Sequence, residues 1–161
     1  MAPRDDGRVT GLRTIFFGSG SFAIPSLEAL VRRPEIEIIA VITPPDGPVG
    51  RRGVLTPVPV ATAAEQLGLP VERIKRVRAD PAVRAIRDLA PDLGVLADFG
   101  QLVPQAVIDV PAHGILNVHP SILPRHRGAT PIPATILAGD DEAGVTIMQM
   151  DAGLDTGPIV A

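Results

Sequence analysis

From Leu12 to Phe17 the chain is dominated by apolar, β-branched and aromatic residues, and the run stops at Gly18-Ser19-Gly20-Ser21. Ile24, Leu27, Leu30 and Val31 then recur at helical spacing, so the segment reads as strand, glycine turn, helix. A second buried strand is predicted over Ile36 to Ile42. It is followed by a long loop that opens at Pro44-Pro45-Asp46-Gly47-Pro48 and runs through Arg51-Arg52-Gly53. A helix is expected from about Pro57 to Leu67, with its prolines in the first turn, where a missing N–H costs little, and Gly68 at its end. The cycle repeats with a short strand at Pro70 to Arg73, a helix at Pro81 to Leu89 and a buried strand at Leu93 to Ala97. A short helix at Pro104 to Val110 and a strand at Ile115 to His119 follow. Strands alternating with helices predict an α/β fold: a doubly wound, mostly parallel, Rossmann-like sheet with helices on both faces.

Beyond a Pro- and Arg-rich loop, Pro120 to Gly128, the pattern predicts a helix at about Pro131 to Ala138 and a strand at Ala143 to Met150. A glycine loop, Asp151 to Gly157, comes next, and Pro158-Ile159-Val160-Ala161 reads as the start of another strand. The 161 residues are therefore expected to be a fragment, with a loose leader over 1–11 and one incomplete domain over 12–161. An apolar share of 45 %, a charged share of 20 % and a mean hydropathy of +0.27 exclude disorder for most of it. The absence of Cys removes disulfides, thiolate catalysis and cysteine metal sites, and a cytoplasmic protein is expected. No run resembles a signal peptide or a membrane span. A net charge of -3 leaves any attraction for nucleic acid to local basic loops, and four Phe without Trp or Tyr weaken base-stacking readings.

The first glycine turn fits G-x-G-x-x-A at Gly18, Gly20 and Ala23, which suggests a dinucleotide site. Such folds place an acid at the end of the second strand, yet here Val41-Ile42-Thr43 runs into prolines and Asp46 is displaced into the loop, so a plain tight turn is favoured. Gly114-Ile115-Leu116-Asn117-Val118-His119-Pro120 is more pointed. With a period of two, Asn117 and His119 project from one face at the strand end where open α/β sheets hold their sites. An amide donates to a developing oxyanion, and an imidazole donates or accepts a proton near neutrality. Taken alone, the pair is better read as groups that hydrogen-bond a loop. A third polar group comes from Asp151-Ala152-Gly153-Leu154-Asp155-Thr156-Gly157, on a strand that can lie beside that of Asn117. Asp155 is placed to orient the imidazole; Asp151 competes on the same logic, and spacing does not choose between them. Arg73, Lys75, Arg76 and Arg78 form a basic cluster open to phosphate or to plain solvation.

The run Asn117-Val118-His119-Pro120-Ser121-Ile122-Leu123-Pro124-Arg125-His126-Arg127-Gly128 resembles the signature of the folate-dependent formyltransferases, and Gly153-Leu154-Asp155-Thr156-Gly157 resembles their second motif. The stretch Gly144 to Gly157, the opening Phe16-Phe17-Gly18-Ser19 with Phe22-Ala23-Ile24-Pro25, and the loop Pro45 to Arg51 are most similar to the branch that formylates initiator methionyl-tRNA. The likeness spans Arg13 to Ala161. It implies a formyltransferase fold with Asn117, His119 and Asp155 as catalytic residues, 10-formyltetrahydrofolate as formyl donor and the methionyl amine of initiator tRNA as acceptor. No metal is required by that chemistry. The same likeness implies that Ser121, Ile122, Leu123 and Pro124 contact folate, that Gly100, Gln101, Leu102 and Val103 line the pterin pocket, and that Arg51 and Arg52 touch tRNA. Complete members continue with the rest of this domain and a small C-terminal β-barrel that helps hold tRNA. A monomer without membrane attachment is expected.

Three departures stand out. Asp98-Phe99-Gly100 replaces the usual Ala-Tyr-Gly, and Asp98 reads as a solvated loop acid. His126 stands where Trp or Tyr is common and reads as a surface loop residue. Arg51 lacks the basic residues that usually follow it. The alternatives are a 10-formyltetrahydrofolate hydrolase, which uses water as acceptor, another folate-dependent formyltransferase, and an inactive folate-binding fragment.

Overall fold

A computed structural model describes residues 11–161, so the expected leader lies, apart from Gly11, outside the described residues. The sheet has six strands in the order β5-β2-β1-β6-β7-β8. They are β1 (Leu12–Gly18), β2 (Ile36–Thr43), β5 (Val71–Arg73), β6 (Leu93–Ala97), β7 (Ile115–His119) and β8 (Thr146–Gln149). All neighbours run parallel except β7 and β8, which pair antiparallel with Asn117 opposite Met148 and His119 opposite Thr146.

Alternation along the central strands builds a core on each face. Ile15 and Phe17 of β1 face one side, with Leu96 and Ile115, where α3 (Asp80–Asp88) and α4 (Gln105–Ile108) supply Val83, Ile86, Val107 and Ile108. Phe16 points to the other, beside Val41 and Val95, under α1 (Ile24–Val31) and α2 (Pro59–Gln66). Phe17 and Phe99 meet edge to face at 5.4 Å, an arrangement suited to the ring quadrupoles. Helix α5 (Pro131–Ala138) follows β7, ends at left-handed Gly139, and exposes Ile132, Ile136 and Leu137.

The long loop expected after β2 is instead a hairpin, β3 (Gly47–Val49) against β4 (Val54–Thr56), with Arg51 and Arg52 in its exposed turn. Its apolar members Val49, Val54 and Leu55 are solvent-exposed, so no buried face announced it. Helix α2 begins at Pro59 rather than Pro57, because the first turn accepts a proline that donates no hydrogen bond. β8 is shorter than the Ala143 to Met150 expected, as pairing with β7 covers only Thr146 to Gln149. After the glycine loop the chain returns along β8: Val160 N–H donates to Ile147 O at 2.7 Å and Gln149 N–H to Pro158 O at 2.9 Å.

Candidate active site

Parallel pairing of β6 with β7 brings their C-terminal ends to one edge, where the antiparallel β8 begins with Thr146 opposite His119; β8 leaves at Gln149 opposite Leu116, and the glycine loop folds back to carry Asp155 to Asn117 and His119. Asn117 and His119 both lie on the buried face of β7, 8 % and 4 % exposed. Asp155 completes the group. Asn117 Nδ2 donates to Asp155 Oδ1 at 3.2 Å, and Asp155 Oδ2 lies 3.6 Å from His119 Nδ1. The Gly128 N–H donates to Asp155 Oδ2 at 2.8 Å, so one carboxylate gathers the end of β7, the loop after it and the glycine loop.

Asp151, the competing acid, is spent elsewhere. Its carboxylate accepts from Gly153 N–H at 3.0 Å and Thr156 Oγ1 at 2.8 Å, a local turn that shapes the loop. That turn leaves Asp155 at φ 51°, in the left-handed region, with its side chain turned onto the imidazole.

His119 Nε2 lies 3.0 Å from the carbonyl oxygen of His126. Both ring nitrogens thus face oxygens, and only a doubly protonated ring donates to both; either neutral tautomer sets a lone pair against an oxygen. The arrangement supplies an amide donor, an imidazole and a carboxylate within one partly covered corner, a set suited to stabilising an oxyanion and moving a proton.

The flanking residues divide into scaffold and surface. Ser121 is 1 % exposed and its hydroxyl donates to Arg125 O at 2.7 Å. Leu123 is also buried, and its N–H donates to Thr146 Oγ1 at 3.1 Å, while that hydroxyl donates to Ser121 O at 2.7 Å. Thr146 therefore staples the loop after β7 to β8. Ile122 and Pro124 are exposed beside them. After β6, Gly100 turns at φ +74°, Leu102 is exposed and Val103 packs on the core. The Gln101 amide is turned away: Nε2 donates to Ile74 O at 3.0 Å and Oε1 accepts from Val77 N–H at 2.9 Å.

At the first glycine turn, Ser19 and Gly20 N–H donate to Asp98 O at 2.9 and 3.3 Å, so those amides are occupied within the chain. Asp98 is exposed at φ 45°. The basic cluster is smaller than its sequence, because Arg73 bridges Asp46 at 2.9 Å and Glu65 at 2.6 Å. Hydrogen bonds that it donates to Glu65 first, then to Asp46, hold the Arg73 guanidinium above its ordinary range.

His126 is not the free surface residue its sequence position suggests. Its ring Nε2 lies 2.6 Å from Asp140 Oδ2, and Arg125 pairs with the other Asp140 oxygen. Gly128, Thr146 and Asp140 were not singled out as site residues; Thr146 carried a faint signal, a polar β-branched residue opposite His119 in the strand pairing.

This geometry belongs to a chain of known kinship. The family model for formyl transferases matches residues 12–161, and the chain belongs to that family. It is 49 % identical over 152 residues to the methionyl-tRNA formyltransferase of Geobacter metallireducens, covering 94 % of this chain and 49 % of that one. Against the methionyl-tRNA formyltransferase of Thermus thermophilus it is 45 % identical over 150 residues, with 93 % and 48 % covered. The chain thus spans about half the length of the curated relatives it matches. Among solved structures, phosphoribosylglycinamide formyltransferase from Anaplasma phagocytophilum superposes with a TM-score of 0.73 at 28 % identity, covering 93 % of this chain and 70 % of that one. A sugar N-formyltransferase from Shewanella, at 18 % identity and a TM-score of 0.64, shares the fold.

Among the described residues, no helix is long and apolar enough to cross a membrane.

Proposed function

We propose that this chain carries the chemistry of a methionyl-tRNA formyltransferase, moving a formyl group from 10-formyltetrahydrofolate to the methionine amine of initiator tRNA. The observation that carries this reading is the joining of Asn117, His119 and Asp155 through one carboxylate at the C-terminal edge of the sheet. The acceptor is read from the named relatives, which are methionyl-tRNA formyltransferases along 94 % and 93 % of this chain.

In this reading the neutral amine attacks the formyl carbon, and the carbonyl oxygen becomes an oxyanion. Asn117 Nδ2 donates its second N–H to it, a donor of that kind contributing about 10²–10³ in kcat, and the protonated His119 ring stabilises it by its charge. Asp155 orients the imidazole and balances its charge. The amine then loses a proton, the bond from the formyl carbon to the folate nitrogen breaks, and that nitrogen takes up a proton to give tetrahydrofolate. Ile122 and Pro124 with Gly100, Leu102 and Val103 form the walls for the flat donor, while Ser121, Leu123 and Gln101 hold those walls from within. Arg51 and Arg52, at the tip of the β3–β4 hairpin, reach toward acceptor-stem phosphates. Residues 12–161 form the catalytic domain in this assignment.

Tetrahydrofolate release measured with and without initiator methionyl-tRNA, beside His119→Ala, tests the reading. Release that requires the tRNA and is lost in the variant supports it. Release without tRNA makes water the acceptor and overturns the transferase assignment. No release from a folded chain overturns the claim that these residues suffice for the chemistry.

A further inference from the structure

The contacts of His119 and Asp155 with the loop after β7 are made by backbone atoms. His126 O faces His119 Nε2 at 3.0 Å, and Gly128 N–H donates to Asp155 Oδ2 at 2.8 Å. Backbone groups hold a site only as well as their own segment is held. Here the segment includes two left-handed residues, His126 at φ 54° and Gly128 at φ 101°. For His126 that conformation is disfavoured and persists only where surrounding contacts enforce it.

The Ser121 hydroxyl holds the loop from one side by donating to Arg125 O, and the contacts of the loop's own side chains converge on Asp140. Its side chain is 6 % exposed, and its two oxygens take the His126 ring and the Arg125 guanidinium. Asp140 follows the left-handed Gly139 cap, and its own N–H closes back onto Thr135 O at 3.3 Å. The C-terminal end of α5 is thereby its fixed base. A carboxylate at a helix C-terminus meets the negative end of the helix dipole, so it requires cationic partners. The hydrogen bond from His126, chiefly, with the charge of Arg125, keeps its carboxyl below the usual carboxylate range despite burial.

We infer that Asp140 and His126 form a positioning pair: anchored on the end of α5, they fix the 125–128 loop so that His126 O and Gly128 N–H hold His119 and Asp155 in reacting geometry. The inference rests on the function proposed above for its link to rate. Its structural content stands on the contacts alone. The His126 ring is tied through its hydrogen bond with Asp140 to the end of α5.

The test uses the full chain with ¹⁵N-labelled histidines. Three residues, His113, His119 and His126, give ring signals that single replacements assign. Asp140→Asn and His126→Phe are expected to fold, to shift the His119 ring nitrogens out of their hydrogen-bonded positions, and to lower kcat by about ten-fold or more with little change in the KM for the folate. His126→Gln keeps a donor for Asp140 and is expected to restore both readouts most of the way. Folded Asp140→Asn and His126→Phe chains whose His119 signals match wild type overturn the pairing. A wild-type chain that transfers no formyl group overturns the proposed function instead, and the ring signals still decide the positioning role.

Discussion

Replacing Asp155 by Asn separates the charge of this carboxylate from its shape. The residue sits at φ 51°, a left-handed conformation that Asn adopts more readily than most residues, so the backbone gains no new strain. The consequence falls on the hydrogen bonds. Oδ1 accepts from Asn117 Nδ2 at 3.2 Å and Oδ2 from Gly128 N–H at 2.8 Å, whereas an amide offers a single oxygen. Turned either way, its NH₂ meets the Asn117 donor or the Gly128 N–H. Asn117 escapes only by flipping its own amide, which withdraws Nδ2 from its present place. The stability cost is about 1 kcal/mol with that flip and about 3 kcal/mol without it. For a chain of this size that is a fall in Tm of roughly 2–12 °C. The rate suffers more, because His119 Nδ1 loses the negative charge 3.6 Å away, and a kcat loss of about 10²–10⁴ is expected. Calorimetry beside steady-state tetrahydrofolate release measures both. A variant that melts lower as expected yet keeps more than about a tenth of wild-type kcat refutes the coupling of this carboxylate to the reaction.

Three further outcomes are expected. The Asp140 carboxyl is held low in the folded chain, so its stabilisation is present above the ordinary carboxyl pKa and is lost as pH falls through the lowered folded value. Urea midpoints taken from pH 6 downward are expected to drop less steeply in Asp140→Asn than in wild type, and parallel curves would contradict this. Gly157→Ala drives a Cβ into the backbone oxygen of Gln149 and is expected to cost about 1–3 kcal/mol together with activity. Gly20→Ala meets only the movable Asp98 carboxylate and is expected to be far milder; equal Tm losses would refute the contrast. Arg51→Ala is expected to weaken tRNA binding, and to lower the slope of log affinity against log salt by about one, if the hairpin contacts phosphate. Filter-binding titrations at several salt concentrations measure that slope.

The central strands were legible because buried parallel strands appear as unbroken apolar runs, as in Ile38 to Ile42 and Leu93 to Ala97. The β3–β4 hairpin was not, since three-residue strands exposing Val49, Val54 and Leu55 leave no burial pattern. Asn117 and His119 could be paired from period-two geometry alone. The choice between Asp151 and Asp155 could not, because it depends on a local turn and a left-handed residue rather than on spacing. His126 was misread for a related reason: its partner Asp140 lies fourteen positions on, across the whole of α5. Gln101 shows the same limit, its amide meeting Ile74 and Val77 on a segment that the sequence order places far away.

The antiparallel return of β8 also orders events in time. Synthesis runs from the N-terminus, so β1, β2, β5, β6 and β7 are available before the strand that brings Asp155 home. A nascent chain at that stage contains Asn117 and His119 but not Asp155, the carboxylate that joins them in the folded chain. The corner of Asn117, His119 and Asp155 is joined only after β8, which pairs with β7 and along which Pro158 to Ala161 returns. A product cut just ahead of β8 keeps five of the six sheet strands and lacks the carboxylate that unites the site.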